Sequence, residues 1–338
     1  MVARERSKEL VRVGIDIGAT TLQVAIVCRG KLFERSYPNT TVGHADIVRR
    51  LSSYKSEIRV CAEATGAYGL DLFKAIADAS VALMVINPRA AAHYAKAAMR
   101  RAKTDRVDAA GLADLAGRDD FKPWTAPSQA VFDLRAAARR IGAIKDLIVV
   151  EKNRLKAATA TNQTPNYVLV DIEDNIAALE ARADKMAKHA LELARGDATL
   201  ARGITILDSV PGIGAASAVV LFAELAVLPK EMTAKQVVAF AGLDPRPKES
   251  GTSVRGRRPI SRQGSSRLRK ALYFPALTAG TQKKGPLMDA YDGLIARGKK
   301  PMIAVVALMR RMLSISWTLL RRDELFDVAR FGKRAETP

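Results

Sequence analysis

The apolar positions of the N-terminal part follow a period of two and then switch. VRVGIDI, TTLQVAIV and KLFERSYP, between positions 11 and 38, read as three short strands joined by a Gly-Ala-Thr bend and an Arg-Gly turn. HADIVRRLSSY (44–54) then takes helical spacing, EIRVCAE (57–63) reads as a buried strand ending in an acid, and GAYGLDLFKAIADA (66–79) is helical again. VALMVINP (81–88) is a further strand closed by Asn-Pro, where the residue before proline is pushed out of the helical region. Three antiparallel strands followed by alternating helices and parallel strands predict an α/β domain with a mixed central sheet. Residues 89–118 continue as helix through TDRVDAAGLADLAG, and DDFKPWTAPS (119–128) reads as a linker.

Beyond the linker the pattern is helical throughout. Residues 129–196 are almost free of glycine and carry apolar residues at three-and-four spacing (Leu134, Ile141, Ile144, Ile148). This predicts a long helical hairpin, broken near Thr164-Pro165-Asn166, that serves as a spacer or a dimerising coiled coil. SVPGIGAASAVVLFAEL (209–225) sets a Pro-Gly-Ile-Gly turn before a small-residue helix, the pattern of a helix-hairpin-helix element. Gly212 and Gly214 in that turn either aim backbone N–H groups at a phosphate or let two helices pack tightly. A polar, glycine-rich segment at 242–264 is too long for an ordinary connection. SSRLRKALYFPALTAG and PMIAVVALMRRMLSISWTLLRR complete an all-α core, and the last dozen residues read as a tail.

Charge adds what periodicity cannot. Over 338 residues, of which 48% are hydrophobic, 55 lysines and arginines face 35 acids, a net charge of +20 that calls for an anionic partner. Nucleic acid is the first candidate. A membrane is the second, but there is no run of 18 apolar residues and MVARERSKEL lacks the apolar core of a signal peptide, so a cytoplasmic protein is expected. Cys28 and Cys61 sit in strands as small hydrophobes, and His44, His93 and His189 lack metal-ligand spacing. Catalysis is therefore expected to run on carboxylates or hydroxyls.

VGIDIGATTLQVAIV (13–27) suits two machines: a sugar-kinase hairpin that holds a nucleotide phosphate, or a nuclease strand whose acid holds a metal ion. The kinase reading needs a second phosphate-binding strand and a Gly-Gly adenosine loop; the later candidates, PGIG (211–214) and AGLDP (241–245), have helical surroundings. A nuclease of the ribonuclease H type needs several carboxylates converging on Mg2+, which takes oxygen ligands. Asp16 sits near the end of the first strand, Glu63 ends EIRVCAE, and Asp105 and Asp108 lie three apart on one face of a predicted helix. Singly each acid could be a cap or a solvated side chain; together they stand in the order such a site requires.

GIDIGATTLQVAIV, AEATGAYG, VINP with KTDRVDAAGLADL, SVPGIGAASAVVL, and FAGLDPRPKESGTSVRGRRPISRQGSSRLRKALY occur in this order from about residue 13 to 275. As a set they resemble the DEDD insertion-sequence transposases of the IS one-ten type, also described as bridge-RNA-guided recombinases. The resemblance implies a RuvC-like, ribonuclease H-like catalytic domain at 1–118, a linker and coiled coil at 119–200, a C-terminal transposase domain with a serine nucleophile at 201–325, and a tail at 326–338. It makes Asp16, Glu63, Asp105 and Asp108 the metal-binding acids and Ser250 the nucleophile. It also implies donor and target DNA as substrates, a structured guide RNA, and a homo-oligomer, dimer or tetramer, whose active sites are shared between subunits.

From the residues alone, Ser250, Ser253, Ser261, Ser265 and Ser266 compete for the nucleophile's place in a segment with nine basic residues and one acid between Arg246 and Lys270. Arg255, Arg257, Arg258, Arg262, Arg267, Arg269 and Lys270 are the expected nucleic-acid contacts, mainly to phosphates. Trp124, Tyr273 and Phe274 are expected in cores rather than stacked on bases. Two other readings stay open: a RuvC-like nuclease or junction resolvase, which needs the acids without Ser250, and a non-enzymatic nucleic-acid-binding protein, which needs neither.

Overall fold

The computed structural model describes residues 9–64, 66, 68–97, 105–246, 259–281 and 285–329. They fall into two compact units, Met1–Ala126 and Pro127–Pro338.

In the first unit, β1 (Val11–Ile17), β2 (Thr21–Cys28), β3 (Lys31–Pro38), α1 (Thr41–Ser52), β4 (Ile58–Glu63), α2 (Leu70–Asp78), β5 (Ala82–Ile86), α3 (Pro88–Ala97) and α4 (Asp105–Ala116) follow in chain order. The sheet order is β3-β2-β1-β4-β5. The β1–β2 and β2–β3 pairs are antiparallel, and the β1–β4 and β4–β5 pairs are parallel. This is the mixed sheet that the change of period predicts.

Alternation along the central strands divides the side chains between two faces. Val13, Ile15 and Ile17 of β1, with Leu22 and Val24 of β2, pack against Ile47 of α1 and Phe73 of α2. Arg12, Gly14 and Asp16 belong to the opposite face, where Ala109 and Ala113 of α4 meet Ala25 of β2, and Leu112 and Ala116 meet Cys61 of β4. The helix expected over 89–118 is divided into α3 and α4, with 98–104 outside the described residues. The stretch expected as a linker begins by packing back on this unit. Trp124 donates its backbone N–H to Leu83 and sets its ring edge-on to Phe73, centroids 5.8 Å apart.

In the second unit α5 (Gln129–Ala158) and α6 (Asn166–Gly196) form the expected hairpin, broken at Pro165. Ile144 of α5 packs on Leu179 and Ala183 of α6. The base of the hairpin, from Val131 to Ile141 with Ala190 and Ala194, joins one core with α7 (Ala198–Asp208), α8 (Ala215–Leu225), α9 (Ala234–Phe240), α10 (Ser266–Thr281), α11 (Pro286–Ala296) and α12 (Pro301–Arg322). By length and composition α12 could cross a membrane, although the sequence shows no 18-residue apolar run, and 56% of its most apolar stretch is buried inside this unit. Trp317 fixes it there by donating its indole N–H to the Met232 carbonyl at 2.7 Å. The tail beyond residue 329 lies outside the described residues.

Candidate active site

Strand register brings two of the acids together. Ile15 of β1 pairs in parallel with Ala62 of β4, so the next residues on each strand are Asp16 and Glu63. Registered positions on parallel neighbours point to the same side, about 4.8 Å apart along the hydrogen-bonding direction. Across Asp16 on the other side stands Gln23, and beyond Glu63 stands Ile86.

Gly14 brings α4 onto this face. A Cβ at Gly14 would meet the Ala109 carbonyl oxygen at 1.9 Å and the Ala113 nitrogen at 2.3 Å, so helix backbone rests directly on strand backbone. At the far end Gly117 lies against the Arg12 side chain, and Arg12 faces Asp114 at 3.8 Å. With Gly117 over Arg12 and Ala109 over Gly14, α4 runs opposite to β1, so its first turn extends toward Asp16. Two strand residues from Gly14 to Asp16 span about 6.6 Å, and four helix residues from Ala109 back to Asp105 span about 6 Å. Asp105 and Asp108 fall in that first turn.

The bend after Asp16 is held by side chains that periodicity does not reveal. The Asn39 amide donates to the carbonyls of Gly18 (2.9 Å) and Tyr68 (3.1 Å), which leaves its oxygen to accept from His44 Nε2 at 2.7 Å. His44 is buried, and burial holds its pKa below the ordinary value, opposed by the negative charge of Asp71. Cys61, two residues before Glu63 on the same face, is buried, and this pushes its thiol up to about 12, a protonated group rather than a metal ligand. Asp16 and Glu63 offer carboxylate oxygens, the ligand type a hard divalent cation takes. Among the described side chains no three His, Cys, Asp or Glu groups are gathered closely enough to hold a metal ion; the Asp105 side chain lies outside that description.

In the second unit Ser250, Arg255, Arg257 and Arg258 lie outside the described residues, but both ends of their loop are described. Pro245 and Ile260 form an antiparallel bridge, Arg246 donates its N–H to Pro259, and the Ser261 hydroxyl donates to Asp244 at 2.5 Å. The Arg269 guanidinium donates to the carbonyls of Ala241 and Gly264, so this arginine braces the neck. The use of Ser261 and Arg269 in that frame is invisible in composition. Lys270 pairs with Asp146 at 2.8 Å, while Arg262 and Arg267 are exposed. Gly212 has φ +89°, and a Cβ there would strike the Pro275 carbonyl of α10 at 2.5 Å, which is tight helix packing; Gly214 caps α8 with open space beside it.

Two family models match the chain, one described as Transposase over residues 13–160 and one described as Transposase IS116/IS110/IS902 family over residues 204–292. The pilin gene-inverting proteins of Moraxella lacunata and Moraxella bovis are each 24% identical over 318 residues, 93% of this chain and 97% of theirs. An insertion element IS900 protein of Mycobacterium paratuberculosis is 33% identical over 133 residues, 38% of this chain and 32% of that protein. A T. thermophilus RuvC in complex with Holliday junction substrate covers 31% of this chain and 90% of its own at 18% identity, with a TM-score of 0.25. With one model on the sheet and hairpin and the other on the helical unit, the chain belongs to the IS116/IS110/IS902 transposase family and is a DNA transposase or recombinase.

Proposed function

We propose that this transposase cuts and exchanges DNA strands through a serine–DNA ester, with Asp16, Glu63, Asp105 and Asp108 as its divalent-metal ligands and Ser250 as its nucleophile. The observation that carries the carboxylate half is the shared edge: two strand-end acids in register, with the first turn of α4 drawn toward them by Gly14. When bound, Mg2+ supplies charge neutralisation at the scissile phosphate. The Ser250 hydroxyl gives up its proton and its Oγ bonds to phosphorus. The bond from phosphorus to one deoxyribose oxygen breaks, and that oxygen takes a proton. Attack by a hydroxyl of a second strand reverses these steps, restoring the serine and joining the strands. The phosphodiester bond energy is kept in the ester, so no external energy source is needed.

The neck formed by Asp244, Ser261 and Arg269 supports the placement of Ser250, since it gives a loop rich in arginine a fixed base. Arg255, Arg257, Arg258, Arg262 and Arg267 then neutralise phosphate charge, with Gly214 offering backbone N–H groups at the α8 terminus. Acids and serine lie in different units, and we place them in one active site shared between copies of the chain, with the α5–α6 hairpin as the pairing element. A structured RNA is the proposed reader of donor and target sequence. Division into a catalytic domain, a coiled coil and a serine domain is part of the same reading.

The test is an adduct. Supercoiled donor and target DNA, the element's flanking RNA and Mg2+ are incubated with the protein, and covalent protein–DNA species are resolved on denaturing gels. Ser250→Ala is expected to abolish the adduct while keeping DNA binding. Cleavage undiminished in Ser250→Ala would replace this reading with a metal nuclease.

A further inference from the structure

Phe274 is 70% exposed, although its place in SSRLRKALYFPALTAG predicts a core residue. Its ring is held by an edge contact with Tyr273, centroids 5.3 Å apart, and Tyr273 itself packs on the helical core. An exposed aromatic ring held in one orientation offers a face on which another flat ring can stack. It forms one wall of an open cleft of about 800 Å³ between α5, α8 and α10. Five cations line that cleft, Arg139, Lys145, Lys152, Arg267 and Lys270, against two acids, Asp146 and Glu224. Both acids are already engaged: Asp146 by Lys270, and Glu224 by Arg139 at 2.7 Å and by Arg135. Arg135, half-buried beside Glu224, feels the positive charge of both Arg139 and Arg267, so this end has more arginine than its one carboxylate balances.

A flat apolar face and a cationic rim match two parts of one ligand: the face of a base and its phosphate. We propose that this cleft takes an unpaired nucleotide, stacked on Phe274 with its phosphate toward Arg139 and Arg267. A helix from a second copy would also cover Phe274, but the cationic rim favours the polyanion. The inference needs only the DNA-handling activity of the family and not Ser250 or the metal site. An unpaired nucleotide arises both in a DNA strand opened for exchange and in a looped RNA.

The full-length protein is titrated with single-stranded DNA, single-stranded RNA and duplex DNA of one sequence, each carrying 2-aminopurine. Stacking on Phe274 is expected to quench the probe in both single strands and not in the duplex. Phe274→Ala should weaken single-strand binding by about 5- to 100-fold, leave duplex binding little changed and abolish the quenching. Phe274→Trp should restore both the single-strand affinity and the quenching. A loss confined to one sugar type assigns the site to that strand and supports the proposal. Unchanged single-strand affinity in Phe274→Ala, or equal loss on the duplex, would overturn it. Sedimentation showing that Phe274→Ala splits an oligomer while single-strand affinity is kept would overturn it in favour of a protein interface.

Discussion

Gly14→Ala adds one carbon and should disable the enzyme. The new Cβ would sit 1.9 Å from the Ala109 carbonyl oxygen and 2.3 Å from the Ala113 nitrogen, where ordinary contacts begin at 3.4 Å. Neither atom belongs to a flexible side chain, so α4 as a whole must retreat by about 1.5 Å, the difference between 3.4 and 1.9 Å. Overpacking of this kind costs about 1–3 kcal/mol. That retreat opens the packing of Leu112 on Cys61 and of Ala113 on Ala25, and it lifts the first turn of α4 away from the edge held by Asp16 and Glu63. A misplacement of about 1 Å at a catalytic centre costs about 100-fold in rate. Urea denaturation and a plasmid cleavage assay are run on wild type, Gly14→Ala and a control in α11, Gly293→Ala, whose Cβ would meet nothing within 4 Å. The expected outcome is a folded Gly14→Ala protein with a loss of at least about 100-fold in cleavage, beside a control of unchanged activity. Wild-type activity in Gly14→Ala would refute the claim that α4 backbone contact aligns the acids.

Other perturbations follow from single residues. His44 has a folded pKa below its ordinary 6.5, so the native unit binds fewer protons than the unfolded chain between those two values; its stability is complete above pH 6.5 and falls as pH drops through that window. Denaturant midpoints at pH 7.5 and 5 should show the loss, and His44→Gln should shrink it. Glu224→Ala leaves Arg135 and Arg139 without their carboxylate at a position only 3% exposed, and should destabilise the helical unit by about 3–5 kcal/mol, read by urea unfolding. Asp244→Ala removes the acceptor of the Ser261 hydroxyl and should lower adduct formation more than overall stability, checked by running the adduct gel beside a melting curve.

The elements were legible in the sequence because their periods are clean: β1 and β2 alternate, and α5 repeats its apolar residues at helical spacing. The order of acids was legible for the same reason, since Asp16 lies one residue before the end of its strand and Glu63 ends its own. Their adjacency was not, because register between β1 and β4 depends on a parallel crossover that joins residues far apart in the chain. Gly14 looks like any strand glycine until α4 lies on it, and Trp124 looks like linker until it meets Phe73. Glu224 and Arg139 are distant charges in the sequence that become one ion pair only when α5 and α8 pack. Phe274 misled for the opposite reason: an aromatic in an apolar helix suggests burial, but Leu272 and Ala276 face the core and Phe274 points away from it.

The most direct measurement of the central claim is Mn2+ binding, followed by electron paramagnetic resonance, to the DNA-bound protein and to Asp16→Asn, Glu63→Gln and Asp108→Asn variants. Four carboxylates acting as one site predict ion binding in the wild type that each single substitution weakens together with cleavage. Wild-type ion affinity in all three variants would contradict a shared metal site at the ends of β1, β4 and α4.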